Sequence, residues 1–256
     1  MLKFLRWVKI VFWAVAVAAL LAPLVVISVW KNATVPAWEQ IVQKDNVSGG
    51  TFDIPPLAIK KSRHSAVKVT SAGLSLFGGT STATGTYFIA KNKHYVITVE
   101  HTIHGPCWLI VIFHEDEKYH CRTFVKVDVM NDYAIMEVEP ITSRTPIRIP
   151  QDLPHGLQWK KSYSILNKII YTGYPNIIGP LTLRGDVVGY TADEQLYIFS
   201  HAYGGSSGSG VFTHDGKYIG YVTAIDVGIT EFGVDILENV VLVTPAFNVD
   251  WSIVLD

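Results

Sequence analysis

The chain has 256 residues, a formal net charge of −1 and 17% charged residues. This balance lacks the excess of Lys and Arg with which proteins neutralise phosphates, so we expect no nucleic-acid partner. Basic residues cluster only at the N-terminus. The length left after an N-terminal membrane segment is enough for one large or two small hydrophobic cores.

The N-terminus contains an uncharged apolar stretch, Ile10–Trp30. As a helix this stretch would be about 31 Å long, which matches the hydrocarbon core of a bilayer. Lys3, Arg6 and Lys9 precede it, so the positive-inside rule places the N-terminus in the cytoplasm and the rest of the chain across the membrane. We therefore predict a basic tip and a retained transmembrane helix over residues 1–31. A cleaved signal peptide is the alternative, although its apolar region is normally shorter.

The rest of the chain is predicted to be all-β. Residues 32–62 form a linker in this prediction, because proline and glycine are frequent and hydrophobic periodicity is weak. Many short runs rich in Val, Ile, Tyr, Phe and Thr then follow, which indicates a sandwich or barrel. The prolines of Ile147–Lys161 divide these runs into two similar units, residues 63–150 and 151–256. The predicted strands are Ala66–Thr70, Gly85–Ala90, His94–Val99, Cys107–Phe113, Arg122–Val127, Tyr133–Val138, Ser162–Ile165, Ile169–Gly173, Leu181–Tyr190, Leu196–Phe199, Lys217–Ile225 and Val240–Thr244.

His101 is the first residue to which the sequence assigns chemistry. It follows an apolar strand and is predicted to lie at a strand-to-loop corner, where a rigid mount meets solvent. A histidine with an ordinary pKa near 6.5 can accept a proton from a hydroxyl close to neutral pH. The alternative is a surface or core-edge histidine without a chemical role.

The two cysteines, Cys107 and Cys121, lack the spacing of a zinc site. A disulfide between neighbouring strands and a pair of buried free thiols are both compatible with the sequence. We expect neither a metal ion nor a cofactor.

Asp132 directly precedes the apolar run that begins at Tyr133. A carboxylate at the start of a buried strand can hydrogen-bond a histidine, fix its tautomer and stabilise its protonated form. The alternative is that Asp132 only closes a turn, which is a common role for aspartate. Asp128 is a rival candidate, but it alternates with Val127 and Val129 and is predicted to face solvent.

The segment Ser200–Phe212 is rich in glycine and serine. Glycine permits positive φ and close approach of the backbone, so this turn can aim N–H groups at one point and leave a serine hydroxyl at its rim. An acyl-transfer nucleophile needs that geometry. A flexible Gly/Ser loop is the alternative. The chain order of histidine, aspartate and then serine is one of the orders known for the Ser-His-Asp triad.

These segments resemble those of trypsin-like serine proteases of the chymotrypsin fold, most closely the HtrA type. The motifs that carry the resemblance are Tyr95–His101, Asp132–Met136, Gly205–Gly210 and Gly216–Ile225. The resemblance implies an all-β fold of two antiparallel six-stranded β-barrels. HtrA-type proteins usually add a PDZ domain, which we do not expect here because the sequence ends at Asp256.

The resemblance also implies a role for each candidate catalytic residue. Ser207 holds the Gly-x-Ser-Gly position and would be the nucleophile. His101 would act as general base and then as general acid, with Asp132 as its orienting partner. The backbone N–H groups of Gly205 and Ser207 would form the oxyanion hole.

Substrate-binding residues follow from the same resemblance. Thr223, Ala224 and Ile225 would pair with the substrate backbone as an added strand, and His201, Tyr203 and Gly204 would wall the specificity pocket. No acidic residue lies between Phe199 and Gly210, so a preference for Arg or Lys at the cleaved position is not expected. Val222, Ala224 and Ile225 favour a small or medium apolar side chain, whereas His201 would favour a polar or acidic one. The alternative is that His201 has a structural or exposed role without contact to the substrate.

The sequence departs from the family pattern at the nucleophile turn. Ser206 stands where the family usually has Asp or Asn, so activation by a newly cut N-terminus is not expected. Ser209 and Val211 depart from it as well. The predicted function is a membrane-anchored serine endopeptidase that acts on protein or peptide substrates on the extracytoplasmic side. The alternatives are a catalytically inactive protease-fold scaffold that binds protein partners and a viral-type self-processing protease.

Overall fold

A computed structural model describes residues 13, 15, 56–73, 79–114, 117–175, 179–230 and 233–256 of the chain. Apart from Trp13 and Val15, the predicted anchor lies outside the described residues, as does the predicted linker up to residue 55. Within the described ranges, no helix combines the length and the hydropathy that a membrane crossing requires. The anchor and the domain boundaries therefore stay predictions.

The first sheet of the described chain closes into a barrel. Its strands are β1 (Ala66–Ala72), β2 (Thr80–Ala90), β3 (Lys93–Thr98), β4 (Ile110–His114), β5 (Glu117–Asp128), β6 (Tyr133–Val138) and β7 (Ile147–Arg148). Six of them form an antiparallel ring in the order β1-β4-β5-β6-β3-β2, which closes because β2 also pairs with β1. The two-residue strand β7 adds to β2 in parallel.

The second sheet of the described chain also closes into a six-stranded antiparallel barrel. Its strands are β8 (Lys168–Gly173), β9 (Leu181–Tyr190), β10 (Leu196–Phe199), β11 (Gly210–Thr213), β12 (Tyr218–Thr230) and β13 (Gly233–Pro245). They follow one another around the ring in the order β10-β13-β12-β11-β8-β9. The two closed rings confirm the predicted all-β fold of two six-stranded barrels.

The helices of the described chain are short. They are α1 (Pro56–Ser65), α2 (Gln158–Ser162) and α3 (Ser252–Leu255), with 3₁₀ turns at Glu100–Thr102, Cys107–Leu109 and Ala246–Asn248. Helix α1 occupies the end of the segment that was predicted as a linker. Lys61 of this helix makes an ion pair of 2.6 Å with Asp152, in the connection between the barrels. The helix is therefore part of the folded body.

The predicted strand Ser162–Ile165 is wrong. Ser162 ends α2, and the hydroxyl of Ser164 donates back to the carbonyl of Lys160 at 2.8 Å, which continues a helical turn. Leu166 then adopts a left-handed φ of 62°, which reverses the chain before β8. Serine hydroxyls that bond to a backbone carbonyl four residues earlier compete with a sheet ladder.

Among the described residues, buried hydrophobic side chains form three clusters, and the one between the barrels positions the site. Val67, Val96, Ile110, Ile112 and Met136 lie inside the first barrel, and Ile169, Val187, Val211, Val241 and Val243 lie inside the second. The third cluster joins Phe88, Tyr95 and Tyr133 of the first barrel to Phe212, Tyr218 and Tyr221 of the second. Buried aromatic rings of this size contribute much of the energy of an interface. The two barrels are therefore docked through an apolar aromatic layer.

Cys107 and Cys121 form a disulfide, with their Cα atoms 5.2 Å apart. The bond joins the 3₁₀ turn before β4 to strand β5. The sequence is compatible with either a disulfide or two buried free thiols, and the structure contains the disulfide. The turn that carries Cys107 follows the loop after His101, so the disulfide restrains one end of that loop.

Candidate active site

His101 and Asp132 meet at the end of the first barrel that faces the second. His101 lies in the 3₁₀ turn directly after β3, and Asp132 lies directly before β6. The two carboxylate oxygens of Asp132 contact different atoms of His101. Oδ1 accepts the backbone N–H at 2.9 Å, and Oδ2 lies 2.7 Å from ring atom Nδ1. Because both oxygens are engaged, the carboxylate fixes the orientation of the ring and leaves Nε2 for other partners.

The environment of His101 shifts its proton affinity. The hydrogen bond to Asp132 raises the pKa of His101 above the ordinary value of 6.5, although partial burial acts in the opposite direction. The charges of Asp132 and Glu100 add to the rise. The imidazole side chain is 49% exposed, so a substrate in solvent can reach it.

The turn that carries Asp132 has an unusual backbone. Asp132 adopts a left-handed φ of 52°, a conformation that side chains other than those of Asn, Asp and Gly rarely occupy. Asp128, the rival candidate, is half-buried at the end of β5, and its Oδ1 accepts the backbone N–H of Asn131 at 3.0 Å. This bond lowers the pKa of Asp128. Asp128 therefore closes the turn, whereas Asp132 contacts the histidine.

The segment around Ser207 consists of two consecutive tight turns. In the first, the N–H of Ser206 donates to the carbonyl of Tyr203 at 2.8 Å, with Gly205 at φ 98°. In the second, the N–H of Ser209 donates to the carbonyl of Ser206 at 3.0 Å, with Gly208 at φ 85°. Positive φ at the third residue is the signature of a type II turn, which requires glycine there. The glycines therefore build a rigid turn and not a flexible loop.

Thr84 of β2 ties this turn to the first barrel. Its N–H donates to the carbonyl of Ser207 and its hydroxyl donates to the carbonyl of Gly205, both at 2.8 Å. Its own carbonyl accepts the hydroxyl of Thr98, the last residue of β3, at 2.7 Å. Because His101 follows β3 three residues later, Thr84 links the serine turn to the strand that leads to the histidine. Thr84 is completely buried, so each of these polar groups needs its partner.

The serines of the turn are used differently. Ser206 is buried, and its Oγ accepts the N–H of Tyr203 at 3.2 Å. Ser209 is also buried, and its Oγ donates to the carbonyl of Ser206 at 2.6 Å. Ser207 is partly exposed. Among the described residues, the backbone N–H groups of Gly205 and Ser207 have no hydrogen-bond acceptor, whereas that of Ser206 has one. The turn thus presents two amide donors and one hydroxyl.

The predicted pocket residues lie at the surface beside the turn. His201, Tyr203 and Gly204 are exposed, whereas Ala202 between them is buried in the second barrel. The hydroxyl of Tyr171 donates to the carbonyl of His201 and holds its backbone. These three residues therefore have the exposure that pocket walls need.

Strand β12 presents an edge next to the turn. Val222 makes two backbone hydrogen bonds with the serine turn. Its carbonyl accepts the N–H of Gly208 at 2.7 Å, and its N–H donates to the carbonyl of Ser209 at 2.9 Å. From Thr223 onward, β12 pairs with β13 on one side and has no strand on the other among the described residues. Ala224 and Ile225 continue this edge, and their side chains lie outside the described part of the structure.

The assignment of Val222 to a specificity pocket is wrong. Its side chain is 1% exposed and lies in the cluster inside the second barrel, with Val187 and Val241. Successive residues of a strand point to opposite faces, so the Val222 side chain points to the barrel interior and the Thr223 side chain to the other face.

Two residues at the site were missed by the sequence analysis. Thr84 was not singled out, although threonine is frequent in the segment Thr80–Thr86. Tyr221 was treated only as part of a strand, but its hydroxyl donates to the carbonyl of Asn131 at 2.6 Å. Both residues act across the junction of the barrels, and contacts between distant segments leave no local sequence signal.

The comparison with known families matches the trypsin-like peptidase domain over residues 83–220, which is more than half of the chain. The chain belongs to the trypsin-like peptidase family. The matched range contains His101, Asp132 and Ser207. A search of curated proteins found no match.

Solved structures share the fold of this trypsin-like peptidase. A serine endoprotease from Yersinia pestis matches with a TM-score of 0.58 and 17% sequence identity, over 77% of this chain and 65% of that one. The HtrA-type protease AlgW with a tripeptide matches with a TM-score of 0.55 and 14% identity, over 74% of this chain and 59% of that one. This chain therefore spans less than two thirds of the length of each of these two solved proteins.

The close packing of Gly208 leads to a test of the turn. A Cβ at this position would lie 1.9 Å from the carbonyl oxygen of Thr84, and φ is already in the left-handed region. We expect Gly208→Ala to lower the free energy of unfolding by about 3 kcal/mol or more, the sum of backbone strain and overpacking. Chemical denaturation measures this change.

Gly156→Ala is the matched control, because Gly156 has a φ of 56° but no atom within 4 Å of its added Cβ. It carries the backbone strain alone, and we expect a loss of about 1–2 kcal/mol. Equal losses in the two variants would contradict the tight contact between the turn and Thr84.

Proposed function

We propose that this trypsin-like peptidase is a serine endopeptidase with Ser207 as nucleophile, His101 as general base and acid, and Asp132 as the residue that orients His101. The observation that carries the proposal is the double contact between Asp132 and His101. It resembles the arrangement that Ser-His-Asp catalysis requires, with Nδ1 held by a carboxylate and Nε2 left for the hydroxyl. The family match supports the same chemistry.

The proposed reaction proceeds through an acyl-enzyme. Ser207 Oγ attacks the carbonyl carbon of the scissile peptide bond while His101 Nε2 takes the hydroxyl proton. The N–H groups of Gly205 and Ser207 stabilise the negative oxygen of the tetrahedral intermediate. The intermediate expels the amine, which receives its proton from His101. Water, deprotonated by His101, then attacks the ester carbonyl, and His101 returns this proton to the departing Ser207 Oγ.

We further propose that the substrate binds as an extended strand along β12. The free edge that begins at Thr223 supports this mode, because an added strand forms backbone hydrogen bonds and needs no particular side chains. His201, Tyr203 and Gly204 would then wall the pocket for the residue before the scissile bond. The segment Phe199–Gly210 contributes no carboxylate to that pocket, which disfavours Arg or Lys at the cleaved position.

We also propose that the peptidase domain is anchored by residues 10–30 and lies on the extracytoplasmic side of the membrane. The apolar stretch and the basic residues before it support this topology. The disulfide between Cys107 and Cys121 supports it independently, since such bonds form and persist mainly in oxidising compartments.

A fluorophosphonate probe tests the nucleophile, because it forms a covalent bond with an activated serine. We expect the full-length protein to be labelled and Ser207→Ala and His101→Ala not to be, and peptide mapping should locate the adduct on Ser207. A folded wild-type protein that remains unlabelled would favour the inactive scaffold. An adduct that persists in Ser207→Ala would mean that another serine is the nucleophile.

The pH dependence of labelling tests the pair of His101 and Asp132. Neutral imidazole is the active base, and the raised pKa of His101 means that labelling should reach half of its maximum above pH 6.5. Asp132→Asn removes the charge and the hydrogen bond that raise this pKa. We therefore expect its midpoint to move to lower pH and its maximal rate to fall by about 10⁴-fold.

Asp128→Asn is the control for this measurement. An Asn side chain still offers an oxygen to the N–H of Asn131, and Asp128 is not among the groups that raise the pKa of His101. Its midpoint should stay at the wild-type pH. A shift in Asp128→Asn without one in Asp132→Asn would show that the aspartates were assigned the wrong way round.

Alkaline carbonate extraction of membranes tests the anchor. The full-length chain should stay in the membrane pellet, with an intact mass that includes residues 1–31. A Leu20→Arg, Leu21→Arg variant should be released, because each central Arg disfavours insertion by about 2.5–3.5 kcal/mol. A soluble wild-type chain, or a mass that begins after residue 31, would contradict a retained anchor.

A further inference from the structure

A buried tyrosine of the second barrel reaches the turn that carries Asp132. Tyr221 lies on β12, opposite Gly210 of β11 and Thr244 of β13. It is completely buried, and its hydroxyl donates to the backbone carbonyl of Asn131 at 2.6 Å. Asn131 directly precedes Asp132, so one phenol connects the strand beside the serine turn to the loop of the carboxylate.

The contacted carbonyl belongs to the peptide group that joins Asn131 to Asp132. A peptide group is planar, so a bond that holds its oxygen also fixes the direction of the Asp132 nitrogen. With φ at 52°, the direction of this nitrogen determines the direction of the Asp132 side chain. A left-handed φ outside glycine persists only where the surroundings hold it, and the Tyr221 hydroxyl is one such restraint.

Two buried threonines lie close to Tyr221 toward the free edge of β12. Thr244 of β13 is the cross-strand partner of Tyr221, and Thr244 Oγ1 lies 2.7 Å from Thr223 Oγ1. Both threonines are buried. Thr223 is where the proposed substrate edge begins. Buried hydroxyls thus lie between that edge and Tyr221, and an unsatisfied hydroxyl in such surroundings is costly.

We propose that Tyr221 is a positioning residue, whose hydroxyl holds the Asn131–Asp132 peptide so that Asp132 keeps His101 in its working orientation. The catalytic meaning of this role rests on the proposed function. Tyr221 itself touches neither the substrate nor the reacting atoms. Because the tyrosine belongs to the second barrel and the aspartate to the first, the role makes the histidine site depend on how the barrels dock.

The charged groups near His101 and Tyr221 determine how a titration of His101 is interpreted. Asp132 and Glu100 act on the pKa of His101, and both raise it. Asp132, Asp128 and Tyr133 surround Tyr221, and burial raises the pKa of the Tyr221 phenol above its ordinary value. Tyr221 therefore stays a neutral donor throughout the range in which His101 titrates, so Tyr221→Phe removes no charge that acts on His101.

Tyr221→Phe removes the hydroxyl alone, and Tyr218→Phe is its matched control. Tyr218 lies on the same strand and is completely buried, but its hydroxyl has no hydrogen-bond partner in the described structure. Two measurements on the full-length protein are compared, namely the rate of fluorophosphonate labelling and the titration of His101 followed by NMR. We expect Tyr221→Phe to slow labelling roughly tenfold and to move the His101 titration to lower pH. Tyr218→Phe should change neither.

The two readouts separate this inference from the proposed function. The titration needs no turnover, so a shift in Tyr221→Phe supports the positioning role even if the wild-type protein is not labelled. A His101 titration that stays at the wild-type pH in Tyr221→Phe overturns the role. The role is also overturned if a loss of folded protein, seen as a lower melting temperature, accounts for all of the slower labelling in Tyr221→Phe. That result would describe a purely structural tyrosine.

Discussion

The contact between the two barrels is the constraint on which the candidate site depends. The histidine and the aspartate belong to the first barrel, and the serine turn belongs to the second. Thr84 bridges them with hydrogen bonds to the carbonyls of Ser207 and Gly205. These bonds are buried beside an aromatic layer, where an unsatisfied polar group is costly. These contacts therefore stabilise the docking geometry that brings the serine turn to the strand that ends before His101.

Within the first barrel, electrostatics and backbone geometry act together. Asp132 accepts two hydrogen bonds from one histidine, and its backbone adopts the left-handed conformation. The same contact raises the pKa of His101, which makes it a stronger base. Restraints on the turn come from Asp128 on one side and from Tyr221 of the second barrel on the other. The acid–base properties of the histidine are thus linked to packing in both barrels.

The sequence was informative where local patterns determine structure. Alternating apolar runs predicted most strands, and glycines with positive φ mark the turn around Ser207. Prediction failed at Ser162–Ile165, where the Ser164 hydroxyl bonds to the helix before it, and at Val222, where the face of the strand was misassigned. Thr84 and Tyr221 escaped notice because their partners are 121 and 90 residues away in sequence. The roles of His101, Asp132 and Ser207 stay predictions, which the family match supports.

The most direct measurement is the distance between His101 Nε2 and Ser207 Oγ in a crystal structure of the protein in which no inhibitor or substrate is bound to Ser207. We expect a hydrogen bond of about 2.6–3.2 Å, or a somewhat longer contact before substrate binds. A separation beyond about 6 Å, with another group between the imidazole and the hydroxyl, lies far outside hydrogen-bond reach and would contradict it.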